Sequence, residues 1–456
     1  TYAYQWWADT SANILKLRNS ANNAWISICN LDGTLIDDRV TTASIADDAI
    51  TQALVANDAI GADELAANAV VNASVASSAA IAGSKISPDF GSQNISTTGT
   101  VNTASINGGQ LSNRNVIKNG EMLVSQRGDD FTGVAATAYH VDRFQLYLQN
   151  TSAQFRVRHS ADSPDEFHQS LRIGCTTADT SIAGNEEIKV FHKMEGVDLG
   201  RFAKGTSAAK KFTLSFYVKA TKTGTYCVEL FDRDNSRDVS GSYTVSDGNW
   251  NRYTVDFPAD TSGKFDFNND SSLELSFWLV AGSDTNSGSL DTTWGSSGDN
   301  GSATGQVNFA DSTSNEWMLT GVQLEATDNG QATEFEHRSR GETLALCQRY
   351  FFNLTGDNNF RSGVLGYANS SSEFRGVVHF PVPMRANATF TGSATAMVVD
   401  SADDSATFNV NAISLSNIPQ RNQAVVEVST SSMTAGQCGQ LEFRANDGFM
   451  NFDAEL

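Results

Sequence analysis

From residue 212 onward, large apolar side chains recur at every second position. Phe212, Leu214, Phe216 and Val218 alternate with Thr213, Ser215, Tyr217 and Lys219. Tyr226, Val228 and Leu230 keep the period, as do Tyr253, Val255 and Phe257, then Leu273, Leu275, Phe277 and Leu279, then Trp317 and Leu319. A period of two turns one face of each segment to a core and the other to water, the mark of a half-buried strand. At Gly321 the phase slips before Val322 and Leu324, which predicts a bulge. Phe144, Leu146 and Leu148 extend the pattern upstream, with Leu171, Ile173 and Cys175. Short strands at this spacing, without helical windows between them, predict an antiparallel jelly-roll β-sandwich over residues 113–335.

The period then changes. Ser339-Arg340-Gly341-Glu342 has the form of a capping box, with Ser339 as N-cap. Leu344, Cys347 and Phe351 share one helical face, with Leu346 and Tyr350 beside it, so residues 336–352 are expected to hold a short linking helix. Alternation resumes from residue 353. Phe380-Pro381-Val382-Pro383-Met384-Arg385 reads as a stiff edge or linker, because proline cannot donate within a central strand. Val425-Val426-Glu427-Val428 and Leu441-Glu442-Phe443 read as late strands of a C-terminal β-sandwich knob, residues 353–456.

The beginning of the chain follows other rules. Over residues 1–40, apolar runs at Ile14–Leu17 and Trp25–Ile28 flank the turn-rich Asn19–Asn23, a hairpin signal too small to hold a core. Residues 41–112 repeat. Ile45-Ala46-Asp47-Asp48-Ala49-Ile50 returns as Val55-Ala56-Asn57-Asp58-Ala59-Ile60, as Leu65-Ala66-Ala67-Asn68-Ala69-Val70 and, more weakly, as Val75-Ala76-Ser77-Ser78-Ala79-Ala80. Apolar side chains about five residues apart advance roughly 500° around an α-helix, so no helical seam forms. One chain cannot bury so sparse a pattern, whereas several wound together can, and a β-rich trimeric shaft is expected. The competing reading is a disordered Ala-rich linker. The fold class expected for the whole chain is mainly β: a fibrous shaft, then jelly-roll and β-sandwich domains joined by one short helix.

Composition narrows the partners. The chain has 456 residues and a net charge of −21. Such a surface repels phosphate backbones and anionic membrane faces, so nucleic acid is not an expected partner, and no window approaches 18 consecutive apolar residues, so no membrane insertion is expected. The cysteines Cys29, Cys175, Cys227, Cys347 and Cys438 are isolated, without a C-x-x-C pair, and read as free, buried thiols of a protein made in a reducing cytosol. The opening Thr1-Tyr2-Ala3-Tyr4 is neither a signal peptide nor a translation start, so an upstream segment is expected.

Several segments carry a resemblance. Asn115-Val116-Ile117-Lys118-Asn119-Gly120-Glu121-Met122, Ser125-Gln126-Arg127-Gly128 and Val141-Asp142-Arg143-Phe144 resemble a pattern of bacteriophage tail-fibre proteins. So do Thr320-Gly321-Val322-Gln323-Leu324-Glu325, Ala332-Thr333-Glu334-Phe335-Glu336 and Leu344-Ala345-Leu346-Cys347-Gln348-Arg349-Tyr350-Phe351, together with the N-terminal hairpin and the decapeptides. The likeness spans most of residues 1–390 and departs at Phe144, where tryptophan is usual. Phe212 through Trp250 to Phe257 is similar to jelly-roll carbohydrate-binding modules. The resemblance implies a homotrimeric structural subunit of a virion tail, assembled in the host cytoplasm with other tail proteins and attaching to a bacterial surface glycan or receptor.

Candidate chemistry is sparse. His140, His159, His168, His192, His337 and His379 have no metal-binding spacing, and no G-x-S-x-G or P-loop occurs, so no catalytic residue, metal or cofactor is expected. Asp232-Arg233-Asp234-Asn235-Ser236-Arg237-Asp238 has alternating oxygen donors but lacks the glycine and distal acid of a calcium loop, which favours a solvated turn. Ser246-Asp247-Gly248-Asn249-Trp250 reads as a tight turn sending its tryptophan into the core. Trp294, in a Gly/Ser-rich loop, is the one candidate ligand contact, offering a flat apolar face to a sugar ring; packing beneath its own loop or at a trimer contact is the other reading. Two further functions stay open: a tail spike that degrades polysaccharide, and a secreted carbohydrate-binding protein.

Overall fold

The computed structural model describes residues 2–32, 34, 45, 55, 112–296, 298, 300–355, 363–402, 406–416, 420–443 and 448–456. Apart from Ile45, Val55 and Ser112, the decapeptide repeats and the expected shaft lie outside the described residues. The chain divides into two compact units, Thr1–Thr100 and Val101–Leu456.

In the first unit, β1 (Trp6–Asp9), β2 (Ile14–Arg18) and β3 (Trp25–Asn30) form an antiparallel meander. The expected hairpin is β2–β3, and Trp6–Asp9 adds a third strand. Asn19 closes the turn, its Oδ1 accepting from the backbone N–H groups of Asn23 (3.0 Å) and Ala24 (3.2 Å). Trp7 and Trp25 meet on one face, ring centroids 5.4 Å apart, while Trp6 and Tyr2 remain exposed.

The second unit opens with a jelly-roll sandwich. Its strands are β4 (Asp130–Val134), β5 (Ala138–Tyr139), β6 (Gln145–Gln149), β7 (Gln154–Ser160), β8 (Ser170–Thr177), β9 (Glu187–Glu195), β10 (Lys211–Ala220), β11 (Gly224–Asp232), β12 (Arg237–Val245), β13 (Asn251–Phe257), β14 (Ser271–Ala281), β15 (Gly295–Ser296) and β16 (Glu316–Thr327). A six-stranded sheet, β13-β10-β16-β8-β7-β4, faces a seven-stranded sheet, β15-β12-β11-β14-β9-β6-β5. The alternating residues of the sequence fill the space between them: Phe212, Leu214, Phe216, Leu230, Phe277 and Trp317 are fully buried. The bulge falls where the phase slips. Ser215 pairs with Gln323 but Tyr217 pairs with Thr320, so β16 carries one extra residue. Gly321 absorbs it at φ +62°, and a Cβ there would stand 2.7 Å from the Phe167 ring.

Ser339 caps α1 (Arg340–Gln348), its Oγ accepting from the Glu342 N–H at 3.2 Å. The expected helical face needs correcting. Thr343 and Cys347 are the buried positions, and Phe351 lies beyond the helix, opening a strand opposite Asp453. Cross-strand pairing claims the backbone there, and the preceding Arg349 is already anchored by two hydrogen bonds to Glu195 (2.8 and 2.6 Å).

The C-terminal domain contains β17 (Phe351–Thr355), β18 (Gly363–Ser370), β19 (Glu373–His379), β20 (Thr389–Gly392), β21 (Met397–Ser401), β22 (Thr407–Asn409), β23 (Ala412–Leu415), β24 (Gln423–Ser429), β25 (Cys438–Phe443) and β26 (Phe449–Asp453). A small sheet, β17-β26-β20, and a seven-stranded sheet, β22-β21-β25-β18-β19-β24-β23, share a core of Phe352, Phe374, Val399, Val426, Leu441, Met450 and Phe452. Phe380–Arg385 runs outside any strand, as a linker should. The protein is therefore mainly β, with one α-helix among the described residues. No helix there is long and apolar enough to cross a membrane.

The segments singled out by resemblance meet where sandwich, helix and C-terminal domain join. Asn115 donates from Nδ2 to Val322 O (3.0 Å), and its Oδ1 accepts from Ile117 N (2.9 Å) and Leu324 N (3.1 Å). Arg143 is wholly buried, with its guanidinium 3.5 Å from the Tyr350 ring centroid and an ion pair to Glu455. Arg349 and Tyr350 both reach Glu195. Removing one partner of such a buried pair costs about 3–5 kcal/mol, so these residues clasp the two domains together.

Candidate functional site

The outer face of the seven-stranded sheet forms an open cleft of about 580 Å³. The same alternation that sends Leu146, Ile188, Val190, Leu275, Phe277 and Leu230 inward sends their neighbours outward. Strand register arranges those neighbours in three rows. Tyr147, Lys189 and Trp278 lie across β6, β9 and β14. Gln145, Phe191, Ser276, Glu229 and Ser240 cross from β6 to β12. Lys193, Glu274, Phe231 and Asp238 complete the third.

Aromatic surface and charge alternate along these rows. Tyr147 and Phe191 stack, with centroids 5.0 Å apart and planes 25° from parallel. Lys189 Nζ sits 4.0 Å above the Trp278 ring and 2.8 Å from Glu187. Trp278 lies beneath, its indole N–H donating to Glu229 Oε2 at 3.1 Å. Burial pushes the Glu229 carboxyl up to about 7, only partly offset by the Lys189 ammonium. Burial opposes the Lys189 charge in turn, but Glu229, Glu187 and Glu274 outweigh it and raise its pKa. Arg233 pairs with Glu274 at 3.1 Å. The result is a groove with flat apolar surface, fixed hydrogen-bonding groups of both kinds and a slight excess of carboxylates.

Trp294 is placed elsewhere. It is half-buried against the sandwich core, 5.4 Å from Phe212, with its indole N–H donating to Pro258 O at 2.8 Å. It does not line the cleft. Beside it lies an internal oxygen cage. Lys204, buried to its tip, donates to Asp232 Oδ2 (2.5 Å), Ser262 O (2.9 Å) and Gly263 O (2.8 Å), with Asp260 Oδ2 at 3.0 Å. The reading of Asp232–Asp238 as a solvated turn is thus corrected at Asp232, fully buried because it holds an ammonium, and at Asp238, buried within β12. Among the described residues, no group of three or more His, Cys, Asp or Glu side chains is placed to hold a metal ion.

Two further expectations change. Trp250 stays half-buried at the surface, since its indole N–H is claimed by Asp162 Oδ1 at 2.9 Å. All five cysteines are free, but Cys438 is exposed and Cys29 only partly covered. Sequence reasoning missed Tyr147, Lys189, Phe191, Glu229 and Trp278. Their signal was present: Glu187, Lys189, Phe191 and Lys193 occupy four successive outward positions of β9, too rich in charge and aromatic surface for an ordinary solvated face.

No protein-family model matches the chain, and no curated protein matches it. Among solved structures, the enzymatically active domain of tailspike protein 4 from bacteriophage CBA120 is similar at 12% identity and a TM-score of 0.25, over 46% of this chain. The match spans only 21% of that tailspike chain. A xylan-binding domain from Paenibacillus barcinonensis matches at 12% identity and a TM-score of 0.23, over 44% of this chain and 93% of its own. A family 11 carbohydrate-binding module of a Clostridium thermocellum cellulase matches at 11% and 0.23, over 46% and 98%. At scores of this size the likenesses assign neither ligand nor activity to this chain.

Proposed function

We propose that this chain is a structural, adhesive subunit of a bacteriophage tail fibre that binds a glycan of the bacterial surface in the cleft of the seven-stranded sheet. The observation that carries the reading is the three cross-strand rows, which set Tyr147, Phe191 and Phe231 among Glu, Lys, Asp and Gln side chains in one open groove. Sugar rings offer apolar C–H faces for stacking and hydroxyls that both donate and accept, and this groove matches both. Five carboxylates (Glu187, Glu229, Glu274, Asp238, Asp284) against Lys189, Lys193 and Arg233 favour a neutral glycan over an acidic one.

Assembly as a parallel homotrimer alongside other virion tail proteins is part of the proposal and rests on the decapeptide pattern. An open groove gives weak binding per site, and trimeric display multiplies it through effective concentration. The test is binding of the full chain to an array of bacterial polysaccharides. We expect neutral glycans to be retained, with Phe191→Ala and Tyr147→Ala each weakening retention about tenfold, a loss of roughly 1.4 kcal/mol. A chain of monomeric mass at micromolar concentration refutes the trimer, and no retained glycan refutes the adhesin. Trp294 is kept as a proposed outlying contact, which unchanged binding by Trp294→Ala would remove.

One observation favours a second reading, cleavage of polysaccharide. Glu229, whose carboxyl burial raises to about 7, and Glu274 stand diagonally on the neighbouring strands β11 and β14, and both line the cleft. Carboxyl pairs roughly 6.5–9.5 Å apart serve inverting glycosidases, and side chains placed diagonally in one cleft can take up such a spacing around a bound chain. Release of reducing ends that stops in Glu229→Gln would establish it.

A further inference from the structure

A second cleft, about 360 Å³, opens where the sandwich meets the C-terminal domain. Phe131, Tyr139 and His140 form its sandwich wall, and Thr389, Phe390 and Thr391 of the edge strand β20 the opposite one. Between them the small sheet turns a polar row outward, Thr391 opposite Asn451 and Asn451 opposite Asn353. Its volume lies in the range of small-ligand sites, roughly 300–1,000 Å³.

Several hydrogen-bonding groups here are unused. Asn451 Oδ1, on a residue lining the cleft, is closed to solvent and makes no hydrogen bond, and Arg127 Nη1 makes none either, although it faces the Asp142 carboxylate at 3.7 Å. The neighbouring Asn353 is oriented by its Nδ2, which donates to Gln126 O at 3.0 Å, and its Oδ1 is equally unpartnered. Buried polar groups are rarely left unmatched, so their clustering at one cleft points to a ligand that supplies the partners.

The surroundings select its chemistry. Arg127 already lies 3.5 Å from the Phe351 ring centroid, 3.1 Å from Asp453, 3.3 Å from Glu455 and 3.7 Å from Asp142. Those carboxylates repel an anion. His140 is held neutral, since burial takes it down to about 4. Half-buried Phe131, Tyr139 and Phe390 supply apolar walls, while the exposed Thr389 and Thr391 and the Asp453 carboxylate supply further hydrogen-bonding groups. We propose that this inter-domain cleft is a second carbohydrate site, separate from the sheet cleft, which takes a single neutral pyranose donating a hydroxyl to Asn451 and accepting from Arg127.

The test is ligand-observed saturation-transfer NMR on the full chain, with millimolar methyl glucoside, methyl galactoside, methyl mannoside and N-acetylglucosamine, and glucuronate as the acidic comparison. Phe191→Ala disables the sheet cleft, and Asn451→Ala and Thr391→Trp disable this one. Thr391→Trp acts from an exposed edge and spares the fold. We expect a neutral pyranoside to keep its signal in Phe191→Ala, with Kd rising about tenfold or more in both Asn451→Ala and Thr391→Trp. A signal abolished by Phe191→Ala alone, a stronger response to glucuronate, or no response to any neutral sugar would each overturn the proposal. A pyranoside that still binds in Phe191→Ala and is lost in Asn451→Ala upholds this site whether or not the sheet cleft binds glycan, whereas loss in Phe191→Ala alone assigns the sugar to the sheet cleft and overturns only this proposal.

Discussion

Replacing Lys204 by methionine keeps most of the side-chain stem but withdraws an ammonium from a closed oxygen cage. Lys204 and Asp232 side chains are both 0% exposed, and the ammonium donates to Asp232, Ser262 O and Gly263 O. Asp260 would remain served by Arg237 (2.9 Å) and the Ser262 N–H (2.9 Å), whereas Asp232 would keep only Asn235. Stranding one buried charge costs about 3–5 kcal/mol. The two carbonyls losing a donor lie within that range, so about 4 kcal/mol is the expected loss. At roughly 2–4 °C per kcal/mol for a domain of this size, the sandwich transition should fall by about 8–16 °C in calorimetry. Adding Asp232→Asn should recover part of it by removing the stranded charge. The cage oxygens are of the kind calcium takes, so millimolar calcium should stabilise Lys204→Ala and leave the wild type unchanged. A fall of less than about 2 °C for Lys204→Met would refute the claim that this ammonium holds the loops together.

Three further outcomes are expected. Glu229 is raised in the folded protein from 4.5 to about 7, so the stability it contributes is fully present below pH 4.5 and lost as pH rises through 7; Glu229→Gln should therefore gain up to roughly 3 kcal/mol on the wild type between pH 4 and pH 8, read from melting curves. Gly321→Ala forces a side chain onto φ +62° and into Phe167 and Tyr217, costing about 2–3 kcal/mol in urea unfolding. Arg349→Met leaves the fully buried Glu195 with Tyr350 as its remaining clasp partner, so the C-terminal domain should separate into its own calorimetric transition, about 3 kcal/mol less stable.

The strands, the bulge and the helix cap were legible because each is a local matter. Period-two alternation reports burial of one face, Gly321 interrupts its phase, and Ser339 Oγ accepts from the Glu342 N–H three residues on. Where two local rules competed, only the structure decided. Phe351 fits a helical face on spacing, yet pairing with Asp453 makes it a strand residue. Trp250 reads as core, yet Asp162, 88 residues earlier, holds its indole at the surface. Cys438 fits an apolar strand pattern, yet its side of β25 faces outward.

The clefts divide in the same way. The sequence by itself determined which residues of β6, β9, β11 and β14 point away from the core, because alternation fixes direction along one strand. It could not determine which of those residues become neighbours. Register between strands distant in sequence sets Lys189 beside Trp278 and Glu274 beside Phe231, and that pairing makes scattered charges and rings into a groove. Nor could it show Lys204 meeting Asp232 and Asp260, since closing a cage from three separate segments requires the whole sandwich to have formed. A strand's own pattern determines what it offers, and only long-range packing decides what meets it.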